Sequence, residues 1–329
     1  MRLEHRWRPR RAWSPHAMAE QVRGGDTVPT IRTVGAMRER RTLGTAGRAG
    51  RTVERRRHGA ASTMLLLVTV TALLVGCTPS EPPDPATPRR WVFDHEASFS
   101  DDFDVDGALD TSRWEVLVEE RHDSALTDRP SNVRVEDGNL VIEAHAEQYG
   151  SKAFTSAMIQ TRRAFLHGRF EARMRVPTGA GTWPAFWLCC TGAWPDSGEI
   201  DVVEHYAGDG GLFDFHSGFA ESNLHSAPNL IDSSRGRLRR TKIDPGAWHT
   251  YGVEWAPDEI RFFVDGTLTA IHRSTDPESV DGGWPFATEP ERLLFDLFLG
   301  GPAGPTDPTA MPQHLLVDWV RGFDLIGPF

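Results

Sequence analysis

Cysteine is scarce in this chain: three in 329 residues, two of them adjacent, with no Cys-x-x-Cys pair. No histidine-rich cluster accompanies them, so the sequence offers no ligand set for structural zinc and no dithiol redox centre. Long apolar runs are missing too. The longest covers residues 64–76, short of the roughly 20 residues that a membrane-spanning helix needs. Basic charge is almost confined to one end. Residues 1–60 carry 15 Arg and no Lys against 5 acids, a net +10, which leaves 21 basic and 41 acidic residues, a net −20, in 61–329. An acidic body of this kind argues against nucleic acid as a partner. Helical periodicity is nearly absent after residue 90 and no internal repeat is visible, which argues against bundles and solenoids.

The N-terminal third is organised for export. Residues 1–60 are Arg-rich, broken by Gly and Pro and unable to bury a core; they read as a disordered extension or as sequence upstream of the working start, expected at Met37 or Val53. Residues 61–77 hold the apolar run 64–76, and Arg55-Arg56-Arg57 precedes it, the pattern of a signal peptide. Leu74-Val-Gly-Cys77 resembles a bacterial lipobox, which implies a lipid anchor on Cys77 and a lipoprotein at the cell surface; a plain secretory signal is the alternative. Residues 78–90 are Pro-rich and read as an extended tether.

From Trp91 the chain reads as short β segments between turn signals. Leu140-Val-Ile-Glu-Ala144 follows Asp137-Gly138-Asn139, Arg169 to Val176 alternates polar and apolar, and Glu259 to Val264 runs into Asp265-Gly266. Further segments lie at Thr250–Trp255, Leu293–Leu299 and His314–Val320. Many such strands over 91–329 predict one all-β sandwich. Cys189 and Cys190 are adjacent, and neighbours on a regular strand face opposite ways, so buried free thiols are expected rather than a disulfide.

The chemistry gathers in Ser197-Gly-Glu-Ile-Asp-Val-Val-Glu-His205. Strand alternation puts Glu199 and Asp201 on one face and Glu204 on the other, unless a β-bulge near Val202-Val203 returns Glu204 to the first two. Three crowded carboxylates cannot all ionise cheaply, so at least one keeps a proton near neutrality. A nucleophile and a general acid with separated pKa values are what glycosidic cleavage requires. A solvated strand edge or a cation site would use the same residues. Trp183, Trp187 and Trp194 lie just upstream; indole faces stack on sugar rings and indole N–H groups bond hydroxyls, although tryptophans also fill ordinary cores. Trp183 and Trp187 share a strand face.

Gly181-Thr-Trp-Pro-Ala-Phe-Trp-Leu188 followed by Trp194-Pro-Asp-Ser-Gly-Glu-Ile-Asp-Val-Val-Glu204 resembles glycoside hydrolase family 16, laminarinase-like branch. The likeness continues at Phe99-Ser-Asp-Asp-Phe103, Asn132 to Leu140, His167 to Arg173, Trp248 to Trp255 and Val317 to Arg321, covering essentially all of 91–329. It implies a concanavalin-type β-jelly-roll sandwich of two curved antiparallel sheets, with a concave substrate cleft. It also implies that Glu199 is the nucleophile, that Glu204 is the acid/base and that Asp201 tunes the pair. Asn132 would contact substrate, although a turn-capping role suits it as well. His225 would lie on a neighbouring cleft strand, with His216 as competitor; His205 should point away from Glu204. No cofactor is required, but some relatives hold a structural calcium, for which Gly138 and Asp318 are the matching positions.

The implied function is an exported retaining endo-β-glycanase acting as a monomer on a polysaccharide, with β-1,3- or mixed-linkage β-glucan expected first. A bacterial exopolysaccharide or a galactan, transglycosylation, or a lectin-like module without catalysis are the alternatives. Met158 stands where many laminarinases have Arg, Asp296 where Asn is common, and Asp209 to Ser222 is expected as a cleft-edge loop.

Overall fold

The computed structural model describes residues 90–208, 216–226 and 237–328. The expected export signal, the expected anchor at Cys77 and all but the last residue of the expected tether over 78–90 lie outside these residues. Two antiparallel sheets make up most of the described chain. The first has seven strands, in the order Arg239–Lys242, Phe219–His225, Glu199–Glu204, Thr182–Cys190, Glu291–Leu299, Met158–Thr161 and Trp114–Val116. The second runs Thr267–Arg273, Glu259–Val264, Trp248–Trp255, Gly168–Arg175, Gln313–Phe323, Asn139–Ala144 and Val133–Glu136, with Phe99–Asp101 added alongside Gln313–Phe323. This is the all-β jelly-roll sandwich that the strand pattern and the resemblance predict.

Local chemistry accounts for the hairpins. Asp137-Gly138 and Asp265-Gly266 are two-residue loops with positive φ at both positions (52° and 70°; 51° and 73°). Such loops turn with the natural strand twist, and Asp-Gly suits them because Gly accepts positive φ without steric cost. The alternation of Gly168–Arg175 buries Phe170, Ala172 and Met174 against Tyr251, Val253 and Trp255 of its neighbour. Across the sandwich the first sheet contributes Phe186, Leu188, Ile200, Val202, Val203, Leu224 and Phe295 to the same core. Phe186 stacks on Phe295 with centroids 4.9 Å apart. A second, smaller cluster lies on the other face of the first sheet: Leu126, Met158, Ala185, Trp187, Cys189, Leu294 and Phe298. That face carries the acids.

Two expectations need correction. Cys189 and Cys190 form a disulfide. Alternation fails there because Cys190 ends its strand with φ 82°, which brings the two sulfurs together. The segment expected as a loop up to Ser222 becomes a strand at Phe219: Ala220 and Leu224 face the core while Glu221, Asn223 and His225 face the acids. A small third sheet of Glu119–Arg121, Ser124–Leu126 and Phe154–Ser156 also forms; its three-residue strands are too short and polar to show a period.

Truncating the stacked pair tests this core. Phe186→Ala should lower stability by about 3–5 kcal/mol in urea unfolding, the range for an aromatic removed from a packed interior; a loss below about 1 kcal/mol would mean that the two sheets do not meet at this ring.

Candidate active site

The site is built on the Glu199–Glu204 strand, and its geometry follows from register. Against Thr182–Cys190, Glu199 lies opposite Cys189 and Asp201 opposite Trp187; the register then slips, and Val203 and Glu204 lie opposite Phe186 and Ala185. Against Phe219–His225 the partners are Glu199 with His225, Asp201 with Asn223 and Glu204 with Glu221. Two residues, Val202 and Val203, therefore oppose one. The extra residue is the expected bulge, and it returns Glu204 to the face of Glu199 and Asp201. Both valines pack into the sandwich core, which holds the bulge in place.

All three carboxyls are nearly buried, each residue 8% exposed or less. Burial is the main force on them. It raises Glu199, with the Glu204 charge adding to it and His225 and the Trp194 bond opposing. Burial and the Glu199 charge push Asp201 up to about 7. Burial and Asp201 push Glu204 up to about 8, against hydrogen bonds from Tyr206 and Trp183. His225 is also buried, which disfavours its charge, but Asp201, Glu199 and Glu204 together raise it to about 9. Its Nε2 lies 3.1 Å from Asp201 Oδ2 and 3.9 Å from Glu199 Oε1. An imidazolium at that end favours an anion on Glu199 or Asp201, while Glu204, farther along the strand, keeps its proton through neutrality.

The tryptophans serve the acids. Trp194 Nε1 donates to Glu199 Oε2 at 2.7 Å and Trp183 Nε1 donates to Glu204 Oε1 at 2.8 Å. Trp187 shares the acid face as parity requires, but it is 6% exposed and donates to Asp296 Oδ2 at 2.7 Å. It forms the floor of the site and is not a stacking platform. Asp296 is wholly buried and raised well above the carboxylate range by burial. As a neutral acid it matches in shape the Asn common at that position. Met158 lies beside it in register, buried in the same cluster.

Other expected residues fall less centrally. Asn132 is fully buried, accepting from Thr127 and Arg129 and donating to the Glu143 carbonyl and Thr155. With every valence of its amide engaged inside the protein, it has a structural role and not a substrate contact. His225 takes the place for which His216 competed; His216 instead bonds Glu221 at 2.8 Å. His205 is buried with Nδ1 2.9 Å from the Phe219 carbonyl, away from the acids. Gly138 lies in the Asp137-Gly138 hairpin turn, and Asp318 lies on the strand that pairs with that hairpin, where it is paired with the Arg173 guanidinium at 2.5 Å. Calcium takes six to eight oxygen ligands, so Asp318 would have to release Arg173 to join such a set. Among the described residues, Glu199, Asp201 and His225 have ligand atoms within 4.8 Å of one another; with His225 protonated they fit an ion pair better than a metal. Three site residues escaped the sequence reading. Arg121 and His122 pack on Phe298, and His122 also on Trp183 at 4.9 Å; nothing in their short polar strand signals this. Tyr206 could have been found, because it follows Glu204 by two positions and so falls on its face.

The sequence profile described as glycosyl hydrolases family 16 matches residues 120–321. The chain belongs to this family. It is 35% identical over 274 residues to a beta-glucanase of Rhodothermus marinus, covering 76% of this chain and 91% of that protein. In structure it is similar to the laminarinase of Rhodothermus marinus, with TM-score 0.62 and 33% identity over 72% of this chain and 100% of that one. It is also similar to SCLam, a non-specific endo-beta-1,3(4)-glucanase, with TM-score 0.63 and 27% identity over 74% of this chain and 94% of that one. The family 16 chain is a glycoside hydrolase.

Burying these acids links stability to pH. Asp201 and Glu204 go from 3.8 and 4.5 to about 7 and 8, and His225 from 6.5 to about 9. Between the two sets of values the folded chain binds more protons than the unfolded chain, so their contribution is full at low pH and is lost as pH rises. The urea midpoint should fall between pH 5 and 9, more shallowly in Glu204→Gln below pH 8. Parallel slopes in the two proteins would show that Glu204 is not held neutral.

Proposed function

We propose that this family 16 hydrolase is a retaining endo-β-glucanase acting on β-1,3- or mixed-linkage β-glucan, exported and lipid-anchored through Cys77. The observation that carries the reading is the bulge, which sets Glu199 and Glu204 on one face with His225 beside the first. The glucanase relatives support the polymer. The apolar run before Cys77 and the Pro-rich segment after it support export and tethering.

The chemistry follows from the two environments. A Glu199 carboxylate oxygen attacks the anomeric carbon as the glycosidic C–O bond breaks, and the leaving oxygen takes the proton from Glu204. Asp201, between them, exchanges charge with Glu199 and His225 and so sets how strongly Glu199 holds its electron pair. Water then attacks the glycosyl-enzyme. Its proton goes to Glu204, its oxygen goes to the sugar, and the Glu199 carboxylate is released. The net change is one glycosidic bond and one water converted into two hydroxyls. A sugar hydroxyl in place of water would give transglycosylation by the same route.

The test is reducing-end release by the purified protein on laminarin, lichenan, a galactan and a bacterial exopolysaccharide. Glucan cleavage is expected, with the β-anomer of the new end seen first by proton NMR; an initial α-anomer would overturn retention. Glu199→Gln should lower the rate by about 10³-fold or more while polymer binding persists. Binding without turnover by the unaltered protein would favour the lectin-like alternative. The rate should also decline above about pH 8, where Glu204 loses its proton; a rate still rising at pH 9 would remove Glu204 from the acid role.

A further inference from the structure

We propose that Arg292, two strands away from Glu199, binds an anionic group carried by the glycan. This narrows the substrate class of the glycanase reading given above and rests on that reading.

The position follows from parity and register. In Glu291–Leu299, Leu293, Phe295, Leu297 and Leu299 pack in the sandwich core, while Leu294 and Phe298 belong to the cluster on the acid face. Arg292 alternates with the core set and so stands on the acid face. It lies opposite Cys189, and Cys189 lies opposite Glu199 on its other side. Two strand spacings put Arg292 roughly 10 Å from Glu199, along the row that crosses the strands. The floor between them is Cys189, buried and tied to Cys190, an apolar surface over which a sugar can pass.

The guanidinium stands there without a partner. Its Nε is buried and makes no hydrogen bond, and among the described residues no acid or carbonyl engages the rest of the group. The acids that share this face are already committed. Glu199 accepts from Trp194 and lies beside His225. Gln160 stands across from Leu294 and gives its amide to Glu115 at 2.8 Å. Arg261, buried in the other sheet, is by contrast paired with Glu259 at 2.7 Å. A guanidinium does not shed its charge, so a partly buried, unpaired one costs free energy until an anion arrives. A neutral sugar hydroxyl would satisfy one N–H and leave the charge. A carboxylate or sulfate satisfies both, with parallel N–H···O bonds to the planar fork. The acidic body of the chain argues against a general basic groove, so the recognition is of one group at one subsite.

The test compares laminarin with three derivatives: oxidised at C6 to the uronic acid, esterified with succinate, and sulfated. The unaltered protein should prefer at least one derivative to laminarin in kcat/KM, and added salt should erode that preference. Which derivative is preferred separates a ring acid from an appended acid and from a sulfate. Arg292→Gln should cut the ratio of charged to plain substrate about tenfold, the scale of a hydrogen bond to a charged group. Arg292→Lys, which keeps the charge without the fork, should recover part of it. No preference for any derivative, or a ratio that Arg292→Gln leaves unchanged, would overturn the inference. Should the unaltered protein cleave none of the four, the glucanase reading fails separately. The inference is then read from affinity electrophoresis of Glu199→Gln in gels cast with each polymer. Retardation by a charged polymer that disappears when Arg292→Gln is added supports it; retardation equal in both proteins, or none, sinks it.

Discussion

One surplus residue in one strand governs the site. A regular strand from Glu199 to Glu204 would turn Glu204 into the sandwich core, where an unpaired carboxyl among Phe186, Leu224 and Phe295 would cost far more than any chemistry could return. The bulge at Val202-Val203 removes that conflict. Both valines enter the core, adjacent rather than alternating, and the third acid emerges on the face of the other two. The core therefore enforces the active-site geometry: it accepts two neighbouring β-branched side chains and rejects a charge.

The same face must then tolerate three acids. Its second apolar cluster, with Trp187, Cys189, Met158 and Leu294, is what makes the acids buried, and burial is the first cause of every raised carboxyl in the site. Without a compensating charge this would leave four neutral acids and no nucleophile. His225 supplies one positive charge, at one end of the strand, within 4 Å of Glu199 and Asp201. A low-dielectric floor combined with positive charge at one end of the strand favours different protonation states in otherwise similar carboxyls.

Much of this was legible in the sequence because strand parity is a strict code. The Asp-Gly hairpins, the apolar-polar alternation of Gly168–Arg175 and the need for a bulge between Asp201 and Glu204 all follow from a period of two. The all-β sandwich and the shared face of Glu199 and Asp201 came from that; the jelly-roll topology and the choice of His225 over His216 came from the family resemblance. What failed lay where parity does not apply. Cys190, at a strand end with positive φ, could join its neighbour against the alternation rule. Asn132 sits in a turn, and nothing local tells a substrate-facing amide from one tied to Thr127, Arg129 and Thr155. Arg121 and His122 reach the site from the end of a short strand of another sheet and the turn after it, a long-range contact without a local period. The N–H groups of Trp183 and Trp194, expected to be open to sugar hydroxyls while the ring faces stack on sugars, bond the acids themselves.

That last reversal bears on how the two acids keep their roles through a catalytic cycle. Each carboxyl has its own indole donor, so each has one oxygen fixed as an acceptor and one left for chemistry. For Glu199 the free oxygen faces the cation end, where electron density is held ready for bond formation. For Glu204 the same device leaves one oxygen free to hold the proton. Two identical side chains on one strand thus differ in charge because their neighbours differ: an imidazolium lies within 4 Å of Glu199, while Glu204 sits farther along the strand with an indole donor. The backbone brings the carboxyls together, and the side chains around them decide which one holds its proton.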